Sequence, residues 1–378
     1  MRMATKAIHA GQKPDPETGA VNVPIFMTST YSQVKQHGYL YARGRNPTRE
    51  ALEESLAALE EARHGLAFAS GMAAITTATT LLAKGDHVVV TDDVYGGTYR
   101  LFRQIMEGFG VSFDFVDMTD LANAEAAIRE NTRMLWAETP TNPLLKVVDL
   151  KALATLGHEK GVLTVVDNTF ASPYLQQPLK LGVDIVVHST TKYLGGHSDV
   201  LGGAIVTSHE EAHERLRFAQ NAVGAIPSPL DCYLVLRGIR TLPLRMDRHC
   251  ANAVLIARFL QEQGEVAWIA YPGLEDHPQH DIAKRQMRGF GGMVSFALAG
   301  EREAMAFLRA LRLVILGESL GGIESLIEHP ASMTHASVPK AEREAQGIGD
   351  GLIRFSVGCE DPGDLLEDLS RGFGALRG

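Results

Sequence analysis

Cysteine is scarce in this chain, and long apolar runs are absent. Three cysteines occur in 378 residues, at positions 232, 250 and 359, and they form no CxxC pair. An odd number of widely spaced cysteines argues against a disulfide framework and fits a reducing cytoplasm. No apolar run approaches the roughly 18 residues that span a bilayer, and residues 1–10 lack the apolar stretch of a signal peptide. We therefore expect a cytoplasmic protein that does not cross a membrane.

Excess positive charge is missing as well. The formal net charge is −9 at pH 7 and the sequence pI is about 5.9, which argues against nucleic acid or an anionic membrane as a partner. Hydrophobic residues make up 45% of the chain and charged residues 21%, as in ordinary globular proteins. Because 378 residues exceed the size at which one core usually keeps growing, we expect two domains.

The first 47 residues contain many glycines and prolines and no sustained helical or strand period. They predict an extended arm that lies on another surface. From Thr48 the pattern changes, because Leu52, Leu56 and Leu59 recur at helical spacing, with Thr48 as a candidate N-cap. We expect the large domain to begin at residue 48.

Beyond residue 60, short apolar strands alternate with helical segments. Helices are expected at residues 71–84 and 99–109. The predicted strands cover residues 87–90, 111–116, 134–137, 163–166, 184–187 and 203–206. Continuous apolar strands separated by helices indicate a mostly parallel sheet covered on both faces, and hence an α/β fold.

The pattern changes again near residue 243. A long helix is expected over residues 246–263, followed by a strand at 293–298, a helix from Glu301 and a strand at 352–357. These segments predict a large domain over residues 48–242 and a smaller α+β domain over residues 243–378.

Two candidate catalytic residues follow apolar, β-branched runs. Lys192 lies within His188-Ser-Thr-Thr-Lys-Tyr-Leu-Gly195, just beyond one run, and Asp167 ends another. Ligands of open α/β sheets gather at the carboxyl ends of strands. A lysine that captures an aldehyde and an aspartate that keeps a ring nitrogen protonated are the groups that a pyridoxal phosphate enzyme requires. Alone, Lys192 is also compatible with a solvated loop and Asp167 with a helix cap, but their joint occurrence favours the cofactor site.

Further residues suit the same cofactor. Ser70-Gly71-Met72 begins a predicted helix, whose first N–H groups attract a phosphate, and Ser189 and Thr191 add hydroxyl donors. Tyr95 stands between a strand and a glycine pair, where an aromatic ring can cover one face of a planar cofactor or simply close a turn.

Two alternatives belong to other classes of protein. His209-Glu-Glu-Ala-His213 satisfies the HExxH pattern of zinc hydrolases, with His209 and His213 as ligands and Glu210 as the base. We interpret it instead as the start of an exposed helix capped by Ser208, and we expect no metal. The second alternative is a non-catalytic scaffold that retains the fold.

The chain closely resembles the Cys/Met-metabolism family of pyridoxal phosphate enzymes, which contains the transsulfuration lyases and synthases. The resemblance runs from the arm to the last strand. It rests on residues 41–49, 68–72, 95–100, 138–143, 167–170, 188–200, 318–322 and 329–335. It implies a fold-type I, aminotransferase-like architecture and a homotetramer of catalytic dimers, in which the arm reaches the neighbouring cofactor.

The resemblance also implies roles for individual residues. Lys192 and Tyr95 would act in catalysis. The cofactor would be held by Tyr41 and Arg43 of the adjacent subunit and by Gly71, Met72, Tyr95, Asp167, Ser189, Thr191 and Lys192 of the home subunit. The amino-acid substrate would contact Arg43, Tyr95, Arg100, Asn142, Glu318, Ser319 and Arg354.

Among the family's reactions, the resemblance favours γ-elimination of cystathionine to cysteine, 2-oxobutyrate and ammonia. Glu318 resembles the acidic residue of γ-lyases and γ-synthases, and Gly97 stands where methionine γ-lyases carry a cysteine. Leu40, however, stands where cystathionine enzymes commonly have an acidic residue. The alternatives are cystathionine γ-synthase, then methionine γ-lyase or O-acetylhomoserine sulfhydrylase.

Overall fold

The computed structural model describes residues 1–34, 38–336 and 340–377. The helices are α1 Met3–His9, α2 Pro47–Glu60, α3 Gly71–Thr79, α4 Gly96–Leu101, α5 Leu121–Ala127, α6 Leu150–Lys160, α7 Ser172–Leu175, α8 Glu210–Ala219, α9 Pro229–Ile239, α10 Leu242–Gln261, α11 His280–Gln286, α12 Glu301–Ala310, α13 Lys340–Ala345 and α14 Pro362–Arg377. No helix within the described residues is long and apolar enough to cross a membrane.

Twelve strands are described, and they form two sheets. Those of the first sheet are β1 His64–Phe68, β2 His87–Thr91, β3 Ser112–Val116, β4 Thr132–Glu138, β5 Leu163–Asp167, β6 Ile185–His188 and β7 Gly203–Thr207. Those of the second are β8 Trp268–Ala270, β9 Met293–Ala297, β10 Ile315–Leu316, β11 Leu326–Glu328 and β12 Leu352–Ser356.

The first sheet has the strand order β1-β7-β6-β5-β4-β2-β3. Strands β6, β5, β4, β2 and β3 run parallel, whereas β7 pairs antiparallel with both β6 and β1. The mostly parallel sheet is therefore confirmed. Strand β1 was missed, because its five residues begin with His64 and Gly65 and the partner that makes them a strand lies far away in the sequence.

Both faces of this sheet are buried. Val88 and Trp136 point into an apolar cluster with α3 and α8, while Val89 and Val166 point into a cluster with α5 and α6 on the opposite face. Successive side chains of a strand point to opposite faces, so strands covered by helices on both sides must be apolar at every position. This requirement explains the unbroken valine runs of the sequence.

Helix α2 begins differently from the expectation. Asn46, and not Thr48, is the N-cap: its side-chain oxygen accepts the N–H groups of Thr48 at 3.0 Å and Arg49 at 3.3 Å. Pro47 occupies the first helical position, where its missing N–H costs nothing. The Thr48 hydroxyl instead donates to the carbonyl of Pro24 at 2.8 Å, so Thr48 attaches the arm to the helix.

Four other helices differ from the expectation. Helix α3 ends at Thr79, five residues before the expected end. Helix α4 begins at Gly96 and continues as a π-helical turn over residues 102–106 and a 3₁₀ turn over 107–109. The first arm residues form the short helix α1, and α10 spans Leu242–Gln261 in place of residues 246–263.

The second sheet is ordered β10-β11-β12-β9-β8, and helices cover one of its faces. On β12, Ile353 and Phe355 pack with α10, α12 and α14. The residue between them, Arg354, points the other way and donates to Asn142, which follows β4 of the first sheet, at 2.8 Å. The period of the strand thus directs one guanidinium at the first sheet. A domain boundary at residue 243 stays a prediction.

Candidate active site

A cavity of about 340 Å³ lies between the two sheets. Its floor is formed at the carboxyl ends of β1, β4, β5 and β6, where ligands of such sheets bind, and residues of the second sheet and its loops cover it. The cavity brings together eleven of the predicted site residues: Gly71, Met72, Tyr95, Asn142, Asp167, Ser189, Thr191, Lys192, Glu318, Ser319 and Arg354.

Three predicted residues do not line this cavity. Tyr41 is half exposed on the arm, and the guanidinium of Arg43 donates to the backbone carbonyl of Asn221 at 2.6 Å. Arg100 is an exposed residue of α4. The roles expected for these three side chains therefore stay predictions.

Lys192 is mostly buried inside the cavity. Its ammonium donates to the hydroxyl of Ser319 at 2.7 Å. Ser319 has a φ of 90°, a backbone region that residues other than glycine rarely adopt and that often marks a functional site. Burial, and then the positive charge of Arg354, lowers the pKa of Lys192 to about 8. An amine with this pKa is readily deprotonated near neutral pH, so Lys192 can act as a base.

Asp167 ends β5 and is buried on the cavity floor. Thr169 donates its N–H at 3.0 Å and its hydroxyl at 2.5 Å to Oδ1 of this carboxylate. These bonds orient Asp167 and leave Oδ2 for a protonated ring nitrogen. Burial raises the pKa of Asp167, while the Thr169 bonds oppose that shift. A cation bound beside the carboxylate would compensate for its burial.

Glu138 is a buried carboxyl to which the sequence motifs assign no role. It stands beside Asp167 in the parallel pairing of β4 and β5, and its Oε2 accepts the backbone N–H of Tyr95 at 2.8 Å. Burial, and then the charge of Asp167, raises the pKa of Glu138 well above its usual range. Glu138 thus fixes the backbone that carries the Tyr95 ring.

Arg354 is a fully buried cation of the site. Its Nη1 donates to Asn142 Oδ1 at 2.8 Å, and its Nη2 donates to the backbone oxygen of Ser319 at 2.9 Å and lies 3.0 Å from Glu328 Oε2. Its Nε has no partner among the described residues. A guanidinium held in place with one N–H group unpaired is suited to bind a carboxylate.

The residues at the start of α3 fit a phosphate. Ser70 caps the helix, and the first N–H groups of a helix have no partner within it. A β-carbon added at Gly71 would lie 2.9 Å from the β-carbon of Ser189, so only glycine keeps the two segments this close. Together with the orphaned Nε of Arg354 and the buried Asp167, this cradle fits pyridoxal phosphate.

The alternative zinc residues lie elsewhere and have other partners. His209, not Ser208, is the N-cap of α8, because its Nδ1 accepts the N–H of Ala212 at 3.3 Å. The ring of His213 stacks on His64 with 3.8 Å between centroids, and Glu210 contacts His64 at 3.0 Å. The expected serine cap is therefore wrong, and both histidine rings have structural contacts.

Sequence reasoning missed four polar residues of the site: Glu138, Thr169, Glu328 and Thr334. Three of them stand inside stretches that carry the family resemblance, at 138–143, 167–170 and 329–335, whereas Glu328 immediately precedes one. The available signal for these residues was their position in or next to a stretch that carries the family resemblance. Their partners come from other strands and loops, so no spacing rule indicated the contacts.

A parallel sheet with a buried lysine, an aspartate and a phosphate cradle at its strand ends defines a pyridoxal phosphate enzyme of the α/β class. Residues 4–374 match the family described as Cys/Met metabolism PLP-dependent enzyme. The chain belongs to this family, and its cofactor is pyridoxal phosphate.

Individual relatives span several activities. The chain is 54% identical to a cystathionine beta-lyase of Coxiella burnetii, covering 97% of this chain and 96% of the relative. It is also 54% identical to a cystathionine gamma-synthase of Mycobacterium bovis, covering 98% and 96%. The crystal structure of a cystathionine gamma-lyase from Lactobacillus plantarum, complexed with L-serine, matches with a TM-score of 0.98 and 49% identity over all of both chains.

Substitution of Gly71 tests the phosphate cradle. Gly71→Ala should weaken pyridoxal phosphate binding about tenfold or more, which corresponds to ~1.4 kcal/mol, because the new methyl group collides with Ser189. The dissociation constant is measured by titrating apoprotein with cofactor. Gly264→Ala is the matched control, since no atom of the described residues lies within 4 Å of a β-carbon built there. Equal affinity of both variants would contradict the cradle.

Proposed function

We propose that this protein is a transsulfuration enzyme that catalyses γ-elimination of cystathionine to cysteine, 2-oxobutyrate and ammonia. The observation that carries the proposal is the carboxylate of Glu318 on the cavity wall that also contains Lys192 and Arg354. A substrate with an α-carboxylate at one end and an ammonium at the other matches Arg354 and Glu318. Cystathionine γ-synthase, which would use the same two charges, is the second candidate.

Each residue of the site has a separate role in this reaction. Bound pyridoxal phosphate would supply an aldehyde that is reactive toward amines and a ring that accepts electrons. Lys192, once its amine is free, removes the α-proton, and its lowered pKa suits that task. Asp167 would keep the ring nitrogen of the cofactor protonated, and Tyr95 would cover its ring. Arg354 and Asn142 hold the α-carboxylate, which fixes the α-proton near the lysine.

Gly97 supports cystathionine chemistry over methionine γ-lyase chemistry. A β-carbon at residue 97 would lie 2.4 Å from a ring carbon of Tyr95 and 2.9 Å from the sulfur of Met72. The cysteine found there in methionine γ-lyases would therefore displace the Tyr95 ring from its present position. Leu40 is 68% exposed on the arm and cannot pair with an ammonium, so Glu318 is the residue left to bind the distal amine.

Product analysis tests the reaction. With cystathionine as substrate we expect 2-oxobutyrate and cysteine, whereas pyruvate and homocysteine would contradict γ-elimination and indicate the β-lyase reaction. Glu318→Gln should lower kcat/KM for cystathionine roughly 10- to 100-fold, because a charge-assisted contact of about 1.5–3 kcal/mol is lost.

O-acetylhomoserine without added cysteine is the control substrate, since it has no distal ammonium. Its elimination should change little in Glu318→Gln. An equal loss with both substrates would show that Glu318 does not recognise the amine. Faster formation of cystathionine from O-acetylhomoserine plus cysteine than its breakdown would favour the synthase.

We also propose that the protein works in the cytoplasm as a homotetramer of catalytic dimers. The arm supports this assembly, because it exposes Met27, Val34 and Leu40 to solvent in the single chain and places Tyr41 and Arg43 away from the home cavity. In a symmetric dimer the same arm can reach the neighbouring cavity, where Arg43 would meet the cofactor phosphate.

Complementation tests the exchange of arms. Arg43→Ala and Lys192→Ala should each be nearly inactive, since each lacks one part of every site. Co-expressed with different tags, they should form hybrid dimers in which one site has both Lys192 and the neighbour's Arg43. Random pairing predicts recovery of roughly a quarter of the wild-type activity. Hybrids without activity, or a monomeric active protein, would contradict the proposal.

A further inference from the structure

Glu328 is a buried carboxyl that the reaction above does not use. The antiparallel pairing of β11 and β12 sets it opposite Arg354, with 3.0 Å between Oε2 and Nη2. Glu328 is 0% exposed and Arg354 is 2% exposed. The other carboxylate oxygen, Oε1, accepts the hydroxyl of Thr334 at 2.9 Å. The pair is thus fixed by strand register on one side and by a loop hydroxyl on the other.

A substrate carboxylate must share Arg354 with this partner. Asn142 and the Ser319 carbonyl already occupy further donors of the guanidinium, and Nε faces no acceptor among the described residues. While Glu328 is ionised, the pair is neutral. An incoming carboxylate would leave one uncompensated negative charge in a buried place, which costs several kcal/mol when nothing neutralises it.

We propose that Glu328 is a positioning residue that balances the charge of Arg354 and takes up one proton from solvent when a carboxylate binds to that guanidinium. The inference rests on the assignment of Arg354 to the substrate carboxylate in the proposed function. The step transfers one proton from water or buffer to the Glu328 carboxylate and neither forms nor breaks any other bond. The site then carries Arg354⁺ and one bound carboxylate, and so stays neutral.

The charges around Glu328 agree with proton uptake. Arg354 of β12 and Lys192 beyond β6 are the cations that face it, Glu318 is the neighbouring anion, and Thr334 is the hydroxyl donor. Burial is the largest effect on the pKa of Glu328 and raises it, and the pKa stays raised although Arg354, Thr334 and Lys192 lower it. A second carboxylate on Arg354 would raise it further, because like charges disfavour the ionised form. His335, adjacent to Thr334, is buried beside Arg354 and Arg100, and its pKa is lowered to about 4, so it is neutral near pH 7.

Propionate is a suitable probe, because it has a carboxylate and no amine to displace Lys192. Its binding to the holoenzyme is measured by calorimetry in buffers of different ionisation enthalpy, between pH 6 and 8.5. We expect proton uptake of up to one per site and an affinity that falls by up to about tenfold per pH unit toward high pH.

Glu328→Gln should abolish the proton uptake and make the propionate affinity independent of pH, so that the variant binds at least about tenfold tighter than wild type at pH 8.5. Uptake that persists unchanged in this variant would overturn the inference and assign the proton to another group, such as Lys192. The absorbance of the bound cofactor reports that the variant is folded and loaded.

Two further variants keep the test decisive. Thr334→Val removes a donor that lowers the pKa of Glu328, so it should move the pH at which affinity falls to a higher value; an unchanged pH would contradict the inference. Arg354→Met should abolish propionate binding. If Arg354→Met binds propionate normally, the carboxylate assignment in the proposed function fails; if it does not bind but Glu328→Gln behaves as wild type, only the role of Glu328 fails.

Discussion

The buried guanidinium of Arg354 links the two sheets of this protein. It reaches from β12 to Asn142 beyond β4, to the backbone of Ser319 and to Glu328 of β11. The hydroxyl of Ser319 in turn accepts a hydrogen bond from the ammonium of Lys192. Because an unpaired buried charge costs several kcal/mol, each of these partners must keep its position. The contacts by which Arg354 links the sheets therefore also align the proposed base with the proposed carboxylate site.

Burial of the charged groups in the cavity shifts their pKa values. Burial and Arg354 lower the pKa of Lys192 to about 8, while burial raises the pKa of Asp167, Glu138 and Glu328. A lysine that loses its proton readily is suited to proton transfer. A nearby cation stabilises the ionised form of a buried carboxyl. A protonated cofactor ring beside Asp167 would be that cation. The arrangement is thus adapted to an amino-acid substrate and a protonated aromatic cofactor.

Local sequence patterns predicted the buried parallel strands and the residues at their ends. The valine runs before Asp167 and Lys192 indicated buried parallel strands, because only strands covered on both faces are apolar throughout, and the strand ends then brought the two residues together. Contacts between residues far apart in the sequence could not be predicted from local patterns. Strand β1 forms only by pairing with β7. Asn46 caps α2, because the Thr48 hydroxyl bonds to the arm instead. Glu328 contacts Arg354 only through the register of β11 and β12. Family resemblance supplied roles that geometry alone would not assign.

We propose above all that Lys192 is the residue that joins the cofactor aldehyde. Protein loaded with pyridoxal phosphate should be yellow, and borohydride should bleach it and fix the cofactor covalently. Peptide mass spectrometry should then place the reduced cofactor on Lys192, and Lys192→Ala should show no such adduct. A protein that stays colourless after cofactor addition, or a cofactor mass on another lysine, would contradict the account.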